Sequence, residues 1–183
     1  VGKIVDIDEE VRRRAELERR TQRDSLTDLL NKTAFRDKIC AAMPAKPQQD
    51  KTDALLFLDL DNFKLINDTF GHVRGDAALL EASDALKRIF RNADAVGRFG
   101  GDEFCVLLFG DMQAGRTFVE QIKAKSAAFN SASEKEYYVE LSIGFAPVTL
   151  GKDLVISEKL AVADLTLYEE KKKRRTSICK HPI

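Results

Sequence analysis

Two short acidic segments carry carboxylates at spacings that suit divalent cations. In residues 98–104 (Arg-Phe-Gly-Gly-Asp-Glu-Phe), the acids Asp102 and Glu103 directly follow the glycines Gly100 and Gly101. Apolar segments on both sides predict a β-hairpin with the acids at its tip. The glycines let an anionic ligand approach the backbone, because no Cβ stands in the way. Adjacent carboxylates are costly unless a cation or proton neutralises them, so the tip indicates a cation site; the alternative is a solvated turn.

The second acidic segment follows a predicted buried strand. Residues 54–58 are apolar throughout, and Asp59 and Asp61 come directly after them on one side of the strand. If this strand pairs with the hairpin, Asp59, Asp102 and Glu103 converge. Three oxygen ligands without histidine or cysteine suit Mg²⁺ or Mn²⁺ rather than Zn²⁺. Such a cluster is typical of metal-assisted phosphoryl transfer with two ions about 3.5–4 Å apart.

Further motifs follow in a fixed order along the chain. Residues 24–31 form an entry motif, with Asp28 where glycine is more usual, and residues 57–64, 67–76, 141–146 and 163–171 follow it. Together with the Gly-Gly-Asp-Glu-Phe signature, they resemble the GGDEF domain, the catalytic module of diguanylate cyclases. Several ordered motifs are far more specific than one signature.

The predicted elements alternate in a way that indicates an α+β fold. Helices are predicted at 32–43, 62–69 and 75–91, from about 114, and along a stripe from Ile156 to Leu167; strands are predicted at 54–60, in the hairpin and at 137–145. This order favours a mostly antiparallel central sheet flanked by helices. The resemblance implies the ferredoxin-like palm shared by nucleotidyl cyclases and some polymerases.

The first residues differ from the rest. Residues 1–23 are densely charged, with opposite charges at helical spacing and a thin apolar seam. Beside a GGDEF domain at 24–183, this segment resembles a linker helix that follows an upstream sensor domain, possibly a PAS domain. Because the chain begins without methionine, we expect a fragment of a longer regulator.

The resemblance implies roles for the acidic residues. Asp59 would bind metal through its carboxylate and Leu60 through its carbonyl oxygen, and Asp102 and Glu103 would complete the metal site. One of these two acids would also assist deprotonation of the attacking 3′-hydroxyl, which is worth about 10²–10⁴ in rate. Lys64 would assist catalysis by holding phosphate.

The resemblance also implies a substrate site. Its residues are Phe63, Asn67, Asp76, Gly100, Gly101, Lys171 and Arg175. Asn67 and Asp76 would hydrogen-bond guanine and reject adenine, which offers no matching donors. Phe63 would form core or the wall of the base pocket. Lys171 and Arg175 would hold phosphates, although a basic run at a helix end is often solvated and complements the helix dipole.

Arg91 and Asp94 precede the signature at the spacing of the family's inhibitory product site. An arginine and an aspartate three residues apart can bind the guanine edges and phosphate of cyclic di-GMP. We therefore expect product feedback inhibition at this pair, although an isolated Arg-x-x-Asp is common by chance.

Composition bounds the remaining expectations. The chain has 183 residues and zero formal net charge, so no global field favours nucleic acid or membrane. No apolar run is long enough to span a bilayer. The cysteines Cys40, Cys105 and Cys179 are far apart in the sequence, which fits a reduced cytoplasmic setting. A longer protein could still be membrane-attached through upstream segments.

The expected reaction is the condensation of two GTP into cyclic di-GMP and two pyrophosphates by a homodimer with bound magnesium or manganese. Three alternatives stay open: a catalytically weak module that senses GTP or cyclic di-GMP, a cyclase with altered base choice, and a structural dimerisation domain.

Overall fold

Five strands form a single sheet in the order β1-β3-β4-β2-β5. The strands are β1 (Leu30–Asn31), β2 (Asp53–Leu60), β3 (Ala95–Gly100), β4 (Glu103–Leu108) and β5 (Leu141–Val148). Strand β1 pairs with β3 in parallel, and the other three pairings are antiparallel. The predicted mostly antiparallel α+β sheet is therefore confirmed. This computed structural model describes residues 10–13, 17, 21–42, 53–90, 95–108, 117, 119–124, 127, 130–131, 137–148 and 156–178, with backbone only at 156 and 173–178.

Helices cover both faces of the sheet. The helices with defined bounds are α1 (Lys32–Ala42), α2 (Phe63–Phe70), α3 (His72–Ile89) and α4 (Ile156–Ile178). The described residues at 117, 119–124, 127 and 130–131 are also helical, in agreement with the helix predicted from about 114. Strand β2 explains the arrangement, because its side chains alternate between two buried clusters. Leu56 and Leu58 lie in the cluster under α2 and α3, while Leu55 and Phe57 lie in the cluster with α1 and α4. A strand buried on both faces must be apolar at every position, which is why residues 54–58 show no alternation.

Two element boundaries differ from the predictions. Strand β5 begins at Leu141 rather than at 137, because its partner β2 ends at Leu60, which pairs with Leu141. The backbone N–H and carbonyl of Val139 instead bond to the side chain of Asn130, at 2.9 and 3.1 Å. Helix α3 begins three residues earlier than predicted, at His72, and the Gly75 N–H already bonds to the Gly71 carbonyl at 3.2 Å.

The segment before the sheet is helical where it is described. Residues 10–13, 17 and 21–22 are helical and exposed, in agreement with the predicted helix. Its role as a linker stays a prediction. Within β4, burial raises the pKa of the Cys105 thiol well above its ordinary value, so this cysteine is a protonated core residue.

Candidate active site

The two acidic segments meet at one edge of the sheet. Asp59, the seventh residue of β2, is the register partner of Glu103, the first residue of β4. One step further, the Leu60 N–H donates to the Asp102 carbonyl oxygen at 3.0 Å. Residues directly opposite in an antiparallel pair have Cβ atoms about 4.5–5.5 Å apart. The predicted convergence of Asp59, Asp102 and Glu103 is therefore confirmed for the ends of these two strands.

The hairpin turn is held by the side chain of Arg98, a residue to which the sequence analysis gave no role. Gly101 has a φ of +26°, a conformation that favours glycine, and both Gly100 and Gly101 are exposed. Arg98 donates to the Gly101 carbonyl oxygen through Nε at 3.1 Å and Nη2 at 2.7 Å. Its third nitrogen, Nη1, donates to Asp24 Oδ1 at 3.0 Å. Arg98 thus links the hairpin turn to the entry motif.

Asp24 organises the entry motif around that arginine. Its Oδ1 also accepts from the N–H and hydroxyl of Thr27, at 2.8 and 2.7 Å. Burial pushes the Asp24 pKa up, but the hydrogen bonds from Thr27 and the Arg98 guanidinium outweigh it, so the pKa lies below the ordinary value. Asp28 has a φ of +55°, in the left-handed region that favours glycine. This conformation explains why the position more usually holds glycine.

We call the acidic side chains at this edge of the sheet, Asp59, Asp102 and Glu103, the carboxylate edge. The pKa values of two of them, Asp59 and Glu103, are raised. Burial raises the pKa of Asp59, and the charges of Asp102 and Asp61 raise it further, while a bond and charge from Lys171 oppose the rise. Burial likewise raises the pKa of Glu103, reinforced by Asp102, Asp59 and Asp164. Neighbouring negative charges thus add to burial in opposing the ionisation of Asp59 and Glu103, the condition that a bound cation relieves.

Lys171 supplies the cation that this edge holds now. Its Nζ lies 2.5 Å from Asp59 Oδ1, and both side chains are partly exposed, at 30% and 16%. Among the described residues, no three histidine, cysteine or acidic side chains stand together as a metal-binding group. The donor set at this edge still suits a hard divalent ion, because it is made of oxygen atoms whose charges repel one another. Metal binding by Asp59, Leu60, Asp102 and Glu103 stays a prediction.

Close contact between α4 and β5 brings Lys171 to this edge. A Cβ on Gly144 would lie 1.9 Å from the Ala163 carbonyl oxygen and 2.7 Å from the Leu167 nitrogen, so only glycine admits the helix so near. The Thr166 hydroxyl oxygen accepts the Phe145 N–H at 2.8 Å. Sequence patterning placed Ala163 and Leu167 on the buried stripe of α4 correctly, but it did not foresee the role of Gly144.

The predicted base-binding residues lie on a second surface, formed by α2 and α3. Asn67 lies on α2 and is half-buried, while Asp76 lies exposed in the first turns of α3. The helices are joined at Gly71, whose N–H bonds to the Asn67 carbonyl at 2.9 Å and whose φ is +81°. The turn brings Asn67 against Gly75, the residue before Asp76: a Cβ on Gly75 would lie 2.0 Å from Asn67 Oδ1.

Comparison with known proteins assigns the family. A family model described as "Diguanylate cyclase, GGDEF domain" matches residues 21–177. The chain belongs to the GGDEF domain family. The Escherichia coli diguanylate cyclase DgcP is 33% identical over 165 residues, covering 87% of this chain and 47% of that protein. The E. coli diguanylate cyclase DgcN is 38% identical over 165 residues, covering 87% and 39%. The GGDEF domain therefore spans less than half of either relative.

Solved structures agree with the fold. The coiled coil and GGDEF domain of Caulobacter crescentus DgcB in complex with c-di-GMP match with a TM-score of 0.76 at 24% identity, covering 92% of this chain and 90% of that one. The DgcB GGDEF domain alone, also in complex with c-di-GMP, matches with a TM-score of 0.68 at 27% identity, covering 83% and 91%. The α+β arrangement of the GGDEF domain is thus shared with these structures.

Three predicted site residues of the GGDEF domain cannot be located by their side chains. Arg91 and Asp94 lie outside the described residues, and Arg175 lies in α4 where only the backbone is described. The other predicted residues fall on the two surfaces above: Phe63 is half-buried against the core and Lys64 is exposed in the first turn of α2. In the part of the chain that the structure describes, no helix has the length and apolar character needed to cross a bilayer.

Proposed function

We propose that this GGDEF domain condenses two GTP molecules into cyclic di-GMP and releases two pyrophosphates. The 3′-hydroxyl oxygen of each GTP attacks the α-phosphorus of the other, a new phosphodiester bond forms, and the bond to pyrophosphate breaks. The observation that carries the proposal is the register of Asp59 with Glu103, beside the Asp102 turn, at one edge of the sheet. The diguanylate cyclase relatives over 87% of the chain support it.

The carboxylate edge would hold the metal ions. Asp59, Asp102 and Glu103 would bind two Mg²⁺ or Mn²⁺ ions through carboxylate oxygens, together with the Leu60 carbonyl. Bound ions would offset the negative charge that develops on the phosphoryl oxygens. Either Asp102 or Glu103 would accept the proton of the 3′-hydroxyl. The pKa of Glu103 is raised, first by burial, which makes its carboxylate a stronger proton acceptor.

Lys171 would exchange partners when substrate binds. In the ligand-free chain it neutralises Asp59. The triphosphate would offer Lys171 a new acceptor, so Asp59 would become available to metal at the moment when phosphate arrives. Lys64, from the exposed start of α2, and Arg175 would contact the same phosphates, while Gly100 and Gly101 would let the triphosphate approach the hairpin backbone.

The α2–α3 surface would select guanine. Asn67 and Asp76 would hydrogen-bond its edge, and Phe63 would form the pocket wall beside them. Adenine lacks the matching donors, so polar groups of the pocket would be left unpaired when it binds. This selection is independent of the carboxylate edge, because it uses different elements of the fold.

A two-fold product favours a two-fold enzyme. Two GGDEF domains face to face, each with one GTP, would align both reactions, so we propose an active homodimer controlled through the helix at residues 1–23 by an upstream sensor. Arg91 and Asp94 would bind cyclic di-GMP as inhibitor, which the DgcB complexes with c-di-GMP support. The reaction would take place in the cytoplasm, where GTP and Mg²⁺ are available.

The test is product identification by mass spectrometry after incubation with GTP and Mg²⁺. To supply the dimer, a parallel coiled coil is fused before Arg23. We expect cyclic di-GMP and pyrophosphate from the wild-type domain, and neither from Asp102→Asn combined with Glu103→Gln. Glu169→Gln, which removes one exposed carboxylate of α4, is the matched control and should retain activity. Absence of product from the fused wild-type domain would contradict the proposal.

One observation favours a second candidate, a module that binds GTP or cyclic di-GMP without turnover. Asp59 is already neutralised by Lys171, so a weak preference for metal would leave the site inactive. Nucleotide binding without pyrophosphate release would support this candidate. Incubation with mixed GTP and ATP would reveal altered base choice through the mass of the product.

A further inference from the structure

Gly75 is an unexpected residue for the place it occupies. It lies buried in α3, with an ordinary helical backbone rather than the left-handed conformation that calls for glycine. Within a helix, glycine is less favourable than alanine by about 1 kcal/mol. Its presence therefore calls for another explanation than the backbone of α3.

The explanation lies in the neighbouring side chain. An added Cβ would lie 2.0 Å from Asn67 Oδ1 and 2.8 Å from Asn67 Cγ, and 3.2 Å from Phe63 Cε2. The first two distances are impossible for real atoms, so the Asn67 amide occupies the space that a methyl group at position 75 would take. Asp76 follows directly in the sequence, so the Asn67 amide lies against the residue that precedes the second predicted guanine contact.

Comparison with the other close glycines shows what kind of constraint this is. At Gly144 an added Cβ would meet backbone atoms, the Ala163 carbonyl oxygen at 1.9 Å and the Leu167 nitrogen at 2.7 Å, which cannot turn aside. At Gly97 it would meet the Phe35 ring at 2.8 Å and the Leu30 carbonyl oxygen at 3.0 Å, and the ring is fully buried. At Gly75 it would meet the end of a half-buried side chain that can rotate. A methyl group there would cost the fold little, because the Asn67 amide would turn away.

We propose that Gly75 is a positioning residue for base selection. Because it has no side chain, it leaves a notch in α3 that holds the Asn67 amide one residue before Asp76. The inference rests on the proposed function, in which these two residues recognise guanine. It adds that recognition depends on a residue that does not touch the nucleotide, and that a single methyl group at position 75 uncouples selectivity from folding.

The primary test is Gly75→Ala, with binding measured calorimetrically for α,β-methylene GTP and its adenosine counterpart in the presence of Mg²⁺. We expect an unchanged or raised melting temperature and a guanine affinity lowered about five-fold or more, since a polar partner of guanine is lost. The preference for guanine over adenine should narrow. With GTP as substrate, KM should rise more than kcat falls. The control is Asp84→Ala, an exposed site of α3 where alanine also favours the helix.

A double-mutant cycle decides whether Gly75 acts through Asn67. In an Asn67→Ala background the amide is gone, so adding Gly75→Ala should cause no further loss of guanine affinity. An unaltered affinity in Gly75→Ala, an equal loss in both backgrounds, or failure of Gly75→Ala to fold would each overturn the inference. If the wild-type domain itself shows no preference for guanine, the proposed function fails instead, so the two failures are distinguishable.

Discussion

The two halves of the candidate site are built on different physical principles. On the α2–α3 surface, Asn67 is placed by shape, because the notch at Gly75 fixes its amide without any charge. At the carboxylate edge, Asp59 and Glu103 repel each other, and Lys171 holds Asp59 in a charge-balanced pair. In the proposed function, the base surface would therefore be complete before ligand arrives, whereas the carboxylate edge would be completed only when a metal ion replaces its internal cation.

This difference suggests an order of events. In the proposed function, the α2–α3 surface would select the base first, and the carboxylate edge would respond to the phosphates that the nucleotide brings with it. Substitutions can separate the two halves of the site, because a change at the carboxylate edge should leave base binding at the α2–α3 surface nearly unchanged, and the reverse.

The largest effect is expected from Glu103→Gln, which removes a charge from the carboxylate edge and keeps its shape. Pyrophosphate release should fall by about 10²–10⁴, the contribution of a positioned base, or further if a metal ligand is lost. Affinity for α,β-methylene GTP should change far less, because guanine is held on α2 and α3. Equal losses in turnover and guanine affinity would break the proposed separation.

Gly144→Ala should give the next largest effect, on folding rather than chemistry. A Cβ there overlaps backbone atoms of α4, so we expect the free energy of unfolding to fall by about 3 kcal/mol, as for overpacking of a rigid site. Urea denaturation measures the loss. Gly100→Ala is the matched control, since its nearest atom would be Glu103 Oε2 at 3.9 Å, and its stability should stay near wild type.

Lys171→Gln should have a smaller effect, and it should raise the affinity for metal rather than lower it. Without nucleotide, Asp59 would lose its competing cation, so Mn²⁺ affinity measured by electron paramagnetic resonance should rise about two- to five-fold, the worth of a partly exposed ion pair. Lys172→Gln removes the same charge one residue further along α4 and should leave Mn²⁺ affinity nearer to wild type. Weaker binding in Lys171→Gln would show that the lysine does not compete with metal.

The smallest effect concerns Asp24 and depends on pH. Because the folded-state pKa of Asp24 is below its ordinary value, its contribution to stability is present above the unfolded pKa of about 4 and is lost as pH falls through the folded pKa. Asp24→Asn should therefore lower the melting temperature at pH 7, and the difference from wild type should shrink at pH 3. A difference that is constant with pH would assign the effect to shape alone.

Much of the fold and of the carboxylate edge could be predicted from local sequence patterns. The apolar run before Asp59 and the paired glycines before Asp102 each define a strand end, and antiparallel pairing of two such strands brings their acids together. Gly75 was predicted as the first residue of its helix, where glycine is not unusual, so the notch could not be foreseen; it follows from the earlier start of α3 at His72.

Other features depend on contacts between distant segments. The pairing of Lys171 with Asp59 follows from how closely α4 approaches β5 at Gly144, a distance that no local pattern encodes. The start of β5 at Leu141 is set by where its partner strand ends. Arg98 likewise makes its three hydrogen bonds, two to Gly101 and one to Asp24, only when the entry motif and the hairpin lie side by side.

That arginine has a mechanical consequence. One guanidinium ties the Asp24 carboxylate to the carbonyl of Gly101 in the hairpin turn. The pairing of Leu30 with Gly97 joins the same two segments through the backbone. We expect a displacement of the segment before Asp24 to reach the hairpin turn through these two direct connections.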